Sequence, residues 1–325
     1  MNTGSTRPVV KVSESAMGSP LKIVEVEVSD QRALEPLGTK TKWWVKDYTH
    51  LFKVNYEARR EDCSEVVVAN LCALLGLPHA KYQLGLVRIK DGEETWDEKY
   101  GVLTPSFYQR PAQRLVDGNQ LLLSKDSSYP AENRYKVSEY TVDAVAQVVR
   151  DLEMPPIRFC GSMPDSVNTA LDVFVGYTML DVLVANQDRH HENWGAIESG
   201  DRRMLTPTFD HGAALAPGEP VDRMQKRLET RDQGFSVDNF ARRAMSPFWD
   251  QPGGEQLSLY NAWRAFSRYS PGASNAWLGR LRKLQLDSIY ATFAELPEDR
   301  FPKVARDFCL KLVYSNRERL LARAY

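Results

Sequence analysis

The sequence predicts an α+β fold in two lobes: a small, mixed, strand-rich N-lobe with one helix, then a larger and mainly helical C-lobe. Three observations carry that expectation. Strand-like segments crowd into the first 107 residues around a single long helical pattern. After about residue 110 helical periodicity takes over. The length of 325 residues exceeds one ordinary domain and suffices for two lobes that share a sizeable core.

Taken in order, residues 1–20 mix Ser, Thr, Gly and Pro with few apolar side chains and read as a loose arm. The near-alternation of Val and Glu from Ile23 to Val28 suits a half-exposed strand. Trp43 to Lys46 and Leu51 to Val54 are two further short strands. From Asp62 the apolar positions Val66, Ala69, Leu71, Ala73, Leu74 and Leu75 continue without a breaker until Gly76 and Pro78, which predicts a helix of about four turns. Tyr82 to Ile89 and Tyr100 to Leu103 read as strands on either side of the charged turn from Lys90 to Glu94. The N-lobe is therefore placed at 21–107 and the C-lobe at 108–325. In the latter, Tyr140 to Leu152 is one helix. Ser162-Met163-Pro164-Asp165 resembles a capping box that opens the next, with positions 167, 171, 174, 175, 178 and 182 recurring at three and four. Leu205 to Thr208 is a short strand, and helical patterns return between 255 and 323.

Composition excludes several classes. At 42% hydrophobic and 26% charged residues the chain is neither low-complexity nor fibrous. Forty-two Lys and Arg against 43 Asp and Glu leave a net charge of -1, which supplies no global field for gripping nucleic acid or an anionic membrane, so neither partner is expected. The four cysteines, at 63, 72, 160 and 309, form no CxxC pair and are expected reduced and buried. No signal-peptide run opens the sequence, and its most apolar stretch, Leu171 to Asn186, is interrupted by Asp172 and Asp181, so a cytoplasmic setting is the default expectation, with signal-independent export as the alternative.

The densest cluster of reactive side chains follows the predicted 162–184 helix: Asn186-Gln187-Asp188-Arg189-His190-His191-Glu192-Asn193-Trp194-Gly195. Seventeen residues after Asn193 stands Asp210, within Phe209-Asp210-His211-Gly212. An Asp, an Asn five residues later and an Asp-x-Gly beyond a short hairpin are the parts phosphoryl transfer requires. One carboxylate orients and deprotonates an attacking hydroxyl, while an amide oxygen and a second carboxylate are hard ligands for Mg²⁺ on nucleotide phosphates. Polar loops of this composition are commonly plain turns, and it is the two halves together that favour chemistry. The three histidines 190, 191 and 211 suggest a metal-dependent hydrolase instead, but adjacent His190 and His191 would point to opposite sides of an extended chain. A kinase also needs a cation held by a helix-borne carboxylate. Lys53, ending a strand, and Glu65, twelve residues on in the first helical turns, have that order, with Glu57 and Glu61 as competing partners.

The segment Asp188-Arg189-His190-x-x-Asn193 resembles the catalytic loop of HipA-like serine/threonine kinases, and more distantly that of phosphoinositide kinases. The short cell-translocating (CtkA-type) members are similar over more of the chain. The matching segments are Asn186-x-Asp188-Arg189-His190-x-x-Asn193-Trp194-Gly195, Pro207-x-Phe209-Asp210-x-Gly212, and Ser64-Glu65 before an apolar helix ending Leu75-Gly76-Leu77. Gly38-Thr39-Lys40-Thr41 resembles the family's phosphate loop. The resemblance implies a bilobal protein-kinase-like fold, ATP and Mg²⁺ as cofactors, and a protein substrate offering Ser or Thr. It implies Lys53 on the nucleotide phosphates with Glu65 as partner, Gly38, Lys40 and Thr41 as phosphate-binding loop, Asp188 as catalytic base, and Asn193 and Asp210 as metal ligands. His211 stands where the family commonly has Phe or Cys. Trp43 and Trp44 read as lobe core.

Three functions compete: a protein serine/threonine kinase, a lipid or small-molecule kinase, and a non-catalytic binding module on a kinase fold. A module of the last kind should lack the Lys, the base or a metal ligand, and none is missing. The basic cluster Arg223, Lys226, Arg227, Arg231, Arg242 and Arg243 is interleaved with acids, as a solvated face is. Autophosphorylation is expected, with Ser124, Ser127, Ser128, Thr230, Ser236 and Ser246 as acceptors in reach of that cluster or on a polar stretch.

Overall fold

The computed structural model describes residues 11–14, 22–27, 42–45, 49–55, 59–91 and 95–322. The predicted phosphate loop, Gly38 to Thr41, lies outside these residues, as does Glu57. Among the described residues the N-lobe is one six-stranded sheet in the order β1-β2-β5-β6-β4-β3. Its strands are β1 (Lys11–Glu14), β2 (Lys22–Glu27), β3 (Lys42–Val45), β4 (His50–Val54), β5 (Gln83–Asp91) and β6 (Thr95–Pro105). β2 runs parallel to β5, and every other pair is antiparallel. β1 falls within the stretch read as a loose arm, so part of that arm is edge strand. β6 starts five residues before the predicted Tyr100 because its register with β5, Thr95 opposite Asp91, extends the hairpin through polar positions that periodicity cannot flag.

Helix α1 (Glu61–Leu75) crosses between β4 and β5. Gly76 ends it in the left-handed conformation, φ 77°, and its N–H and that of Leu77 close onto Ala73 and Cys72, as the predicted stop requires. The first turn is tied to the far half of the chain. Arg60 donates to the main-chain oxygen of Glu219 at 2.6 Å, and Asp62 forms an ion pair with Arg300.

The C-lobe is built around α4 (Ala170–Val184), buried nearly all round, as a core helix without a polar face must be. It packs against α3 (Val142–Arg150), α7 (Leu259–Tyr269), α8 (Pro271–Lys283) and α10 (Lys303–Ala322). The capping box that opens α4 is not at Ser162 but at Thr169 and Asp172, whose side chains each accept from the other's main-chain N–H. Residues 162–167 instead form turns. A three-stranded sheet, β7 (Arg114–Asp117), β8 (Gly195–Ser199) and β9 (Arg202–Leu205), faces the N-lobe. The predicted strand Leu205–Thr208 thus falls three residues early. Its register with β8, Arg202 opposite Ser199 and Leu205 opposite Ala196, sets it there. Cys63, Cys72 and Cys309 are buried thiols and Cys160 is half-buried, all four unbridged. No helix among the described residues is long and apolar enough to cross a membrane.

Candidate active site

Lys53 leaves the sheet from β4, where its main chain lies against Gly101 of β6. A Cβ at position 101 would sit 2.1 Å from the Lys53 carbonyl oxygen, so only glycine lets the strands close here. The Lys53 ammonium is buried and donates to Glu65 Oε1 at 2.8 Å and to Asp210 Oδ1. Burial works against its charge, and the Asp210 and Glu65 carboxylates outweigh that, holding the ammonium well above the ordinary lysine value. Burial likewise pushes the Glu65 carboxyl up, against the opposing pull of Lys53. The other oxygen of Glu65, Oε2, accepts the His211 N–H at 2.8 Å, so α1 holds both the lysine and the segment after Asp210. The competing Glu61 pairs with Arg59 at 2.9 Å.

Asp210 takes a left-handed backbone, φ 56°, a conformation Asp tolerates better than most residues, and its N–H donates to the Tyr82 hydroxyl. Asn193 Nδ2 donates to the main-chain oxygen of Asp188 at 2.6 Å, which fixes the amide so that Oδ1 is the atom left for a cation. Asn193 and Asp210 both line the cavity between the lobes, with Lys53 beside them. Two hard oxygen groups with room for phosphate are a donor set that suits Mg²⁺, which binds through few protein ligands plus substrate oxygens. Among the described residues no cluster of three or more His, Cys, Asp or Glu offers a closed metal site.

The loop that carries Asp188 is anchored from below. Arg189, fully buried, forms a two-pronged ion pair with Asp181 on α4, with Nη2 to Oδ1 at 2.7 Å, and Asn186 also donates to Asp181 at 2.8 Å. Asp181→Asn should strip the charge that Arg189 needs in this dry setting and cost about 3–5 kcal/mol. A urea midpoint unchanged from wild type would show that the pair does not anchor the loop. The Asp188 carboxylate itself is about a third exposed, with the His190 Nε2 at 3.8 Å. Burial holds His190 down to about 3 and His191 to about 4, so both rings are neutral. Their planes stand 85° apart, and His191 Nδ1 is taken by the Tyr129 hydroxyl at 2.6 Å. His211 is buried and neutral as well, packed between Thr208 and Arg189. The three histidines do not converge on a metal.

The cavity has an apolar end. Trp44, Leu51, Phe107, Leu115 and Phe209 line it, with Phe107 stacked on Phe209 at 5.2 Å between centroids, and Thr104 to Ser106 run along its edge. Trp44 is buried against Tyr108, Ile197 and Met204, as predicted for core, and Trp43 is half-buried. A second, polar cleft opens on the other side of Asp210, lined by Asp188, Gln187, Tyr135, Arg59 and Glu219.

A profile of the HipA-like C-terminal domain matches residues 30–260, most of the chain. The chain belongs to that family. Among solved structures, the proinflammatory kinase CtkA of Helicobacter pylori shares its fold at a TM-score of 0.63 and 17% identity, over 89% of this chain and 93% of that one. HipA of Shewanella oneidensis MR-1, solved with HipB and operator DNA, aligns at a TM-score of 0.48 and 14% identity, over 90% of this chain and 62% of that one. No curated protein sequence matches. This HipA-like chain accordingly has the family and bilobal fold of a kinase-type phosphotransferase.

The structure brings Lys53, Glu65, Asn193 and Asp210 together with Asp188 at the floor of the interlobe cleft. Sequence reasoning gave no role to Asp181, whose signal was a carboxylate deep in an apolar helix, far from the capping Asp172, or to Tyr82 and Arg134, for which no local pattern exists. Ser246 is buried and donates to the Leu257 carbonyl, so it is not an available acceptor, whereas Ser124, Ser127 and Ser128 are exposed. Arg227 is already engaged by Glu219 and the Phe235 carbonyl.

Proposed function

We propose that this HipA-like protein is an ATP-dependent protein serine/threonine kinase that phosphorylates itself, with an N-lobe that takes in β1 and runs to 107 and a C-lobe at 108–325. The observation that carries the reading is the Lys53 ammonium shared between Glu65 and Asp210 at the head of a cleft with Asp188 on its floor. The apolar end of the cavity takes the adenine between Trp44, Leu51 and Phe209, and the Thr104–Ser106 edge supplies main-chain groups for its polar rim. Lys53 engages the α- and β-phosphates, held in line by Glu65, and the sequence resemblance adds Gly38, Lys40 and Thr41 as phosphate-binding residues. Asn193 and Asp210 would hold Mg²⁺, which supplies charge neutralisation on the phosphate oxygens when bound. Asp188 orients the acceptor alcohol and accepts its proton as the oxygen–phosphorus bond forms and the bond to the β–γ bridging oxygen breaks. The even mixture of charge favours a protein acceptor in the cytoplasm over a membrane lipid or nucleic acid.

The test is incubation of the protein, purified from a phosphatase-free host, with Mg²⁺ and γ-labelled ATP, followed by intact mass and site mapping. Phosphate is expected first on the exposed Ser124, Ser127 or Ser128 and next on the half-buried Thr230 or Ser236. An unlabelled protein that readily phosphorylates phosphoinositide vesicles or a sugar would replace this reading with that of a lipid or small-molecule kinase. Absence of transfer to every acceptor, with ATP bound, would leave a binding module.

A further inference from the structure

The apolar cavity and the polar cleft share four lining residues, Lys42, Lys53, Arg134 and Asp210. Where a nucleotide-side cavity and an acceptor-side cleft meet is where a phosphoryl group must pass. Lys53 and Asp210 have roles there already. Arg134 is the one shared residue contributed by the loop between α2 (Gly118–Lys125) and α3, so it reaches the junction from the C-lobe, opposite Lys53.

Its orientation follows from its neighbours. Arg134 Nε lies 2.9 Å from Glu192 Oε2 and 3.1 Å from His190 Nε2. His190 Nδ1 accepts the Glu192 N–H at 3.1 Å, so the ring and the Glu192 segment are tied to each other beside Arg134. Arg134 Nε is thus held between the Glu192 carboxylate, its ion-pair partner, and the His190 ring. The guanidinium is thereby anchored on its Nε edge, while its two Nη groups meet no acceptor among the described residues and its side chain is about a quarter exposed. A fixed fork of open N–H donors at this junction matches the oxygens of a phosphoryl group better than it matches a single carboxylate.

We propose that Arg134 is a further catalytic residue, contacting the phosphoryl group in transit, and that Glu192 is the positioning residue that aims it. This rests on the kinase reading above. The bond between the γ-phosphorus and the bridging oxygen breaks with its electron pair leaving on ADP, the acceptor oxygen binds the phosphorus, and the acceptor's proton goes to Asp188. Negative charge on the three equatorial oxygens is bunched in the middle of that step. Lys53 is shared between two carboxylates, so Arg134, reaching the junction from the C-lobe, is a further cation placed to meet that charge.

The experiment compares wild type with Arg134→Gln, Arg134→Lys and Glu192→Gln, using two probes. Single-turnover loss of the γ-phosphate from Mg·ATP reads the chemical step whatever the acceptor. Binding of Mg·ADP with and without aluminium fluoride reads recognition of a phosphoryl group in transit. Arg134→Gln should slow the step by about 10²- to 10³-fold while binding Mg·ADP within about twofold of wild type, and should lose the extra affinity that aluminium fluoride confers. Arg134→Lys should retain part of both, and Glu192→Gln should fall about tenfold in rate. An Arg134→Gln protein that turns over at the wild-type rate, or that loses Mg·ADP binding to the same extent as rate, overturns the assignment. A wild-type protein that never releases the γ-phosphate sinks the kinase reading itself, which keeps the two failures apart.

Discussion

Asp210→Ala is expected to lower phosphoryl transfer at saturating Mg²⁺ and ATP by about 10³-fold or more while the protein stays folded. The carboxylate is the second partner of Lys53 and, on the proposed reading, the charged ligand of the cation. Water can replace it only as a neutral donor, and Lys53 would then lean on Glu65 alone. Backbone geometry adds a complication that a control resolves. Residue 210 sits at φ 56°, where alanine is strained by about 1–2 kcal/mol and asparagine much less. Asp210→Asn therefore removes the charge with little strain. Both variants should lose transfer, and only Ala should also melt earlier. Labelled-phosphate incorporation and a thermal melt on each protein give the answer. Wild-type transfer by Asp210→Asn would dismiss Asp210 as a ligand.

Asp188→Ala carries the second large effect, a fall in kcat of about 10²- to 10⁴-fold, the range expected when a positioned base is removed. The substitution is clean. Asn193 is held by the main-chain oxygen of residue 188 rather than by its carboxylate, so the metal-facing amide keeps its place. Arg189 stays locked to Asp181 beneath the loop. The KM for ATP should consequently move by no more than a few-fold, and mass spectrometry of the variant should show no self-phosphorylation. A matched rise in KM with kcat preserved would mean that residue 188 binds nucleotide instead of activating the acceptor.

What the sequence showed of this site was what is local. Asp188, Asn193 and Asp210 are close in the chain, and their residue types are rare enough in combination to be read. Lys53 and Glu65 were legible through the order strand, then helix. Contacts between distant segments were not. Glu192 stands 58 residues from Arg134 and meets it only because the loop before α3 folds back over the catalytic loop. The start of α4 shows a different limit. Ser162-x-x-Asp165 and Thr169-x-x-Asp172 are equivalent as strings, and the second wins because the buried face of the helix begins at Ala170. The long β6 was invisible for a related reason: pairing with β5 extends it through Thr95 to Lys99, which have no apolar alternation of their own.

The tether on the first turn of α1 bears on how such a molecule could be governed. Arg60 is bonded to residues 216 and 219, Asp62 is paired with Arg300, and Glu65 is bonded to His211. To swing the glutamate away from the lysine, the helix must shed two carbonyls, a guanidinium and an amide belonging to the other lobe, all within one and a half turns. Opening and closing of the cleft must then carry α1 along with the C-terminal half, so that the sheet moves over a helix that stays put. Rotation of this helix away from Lys53 is thereby disfavoured.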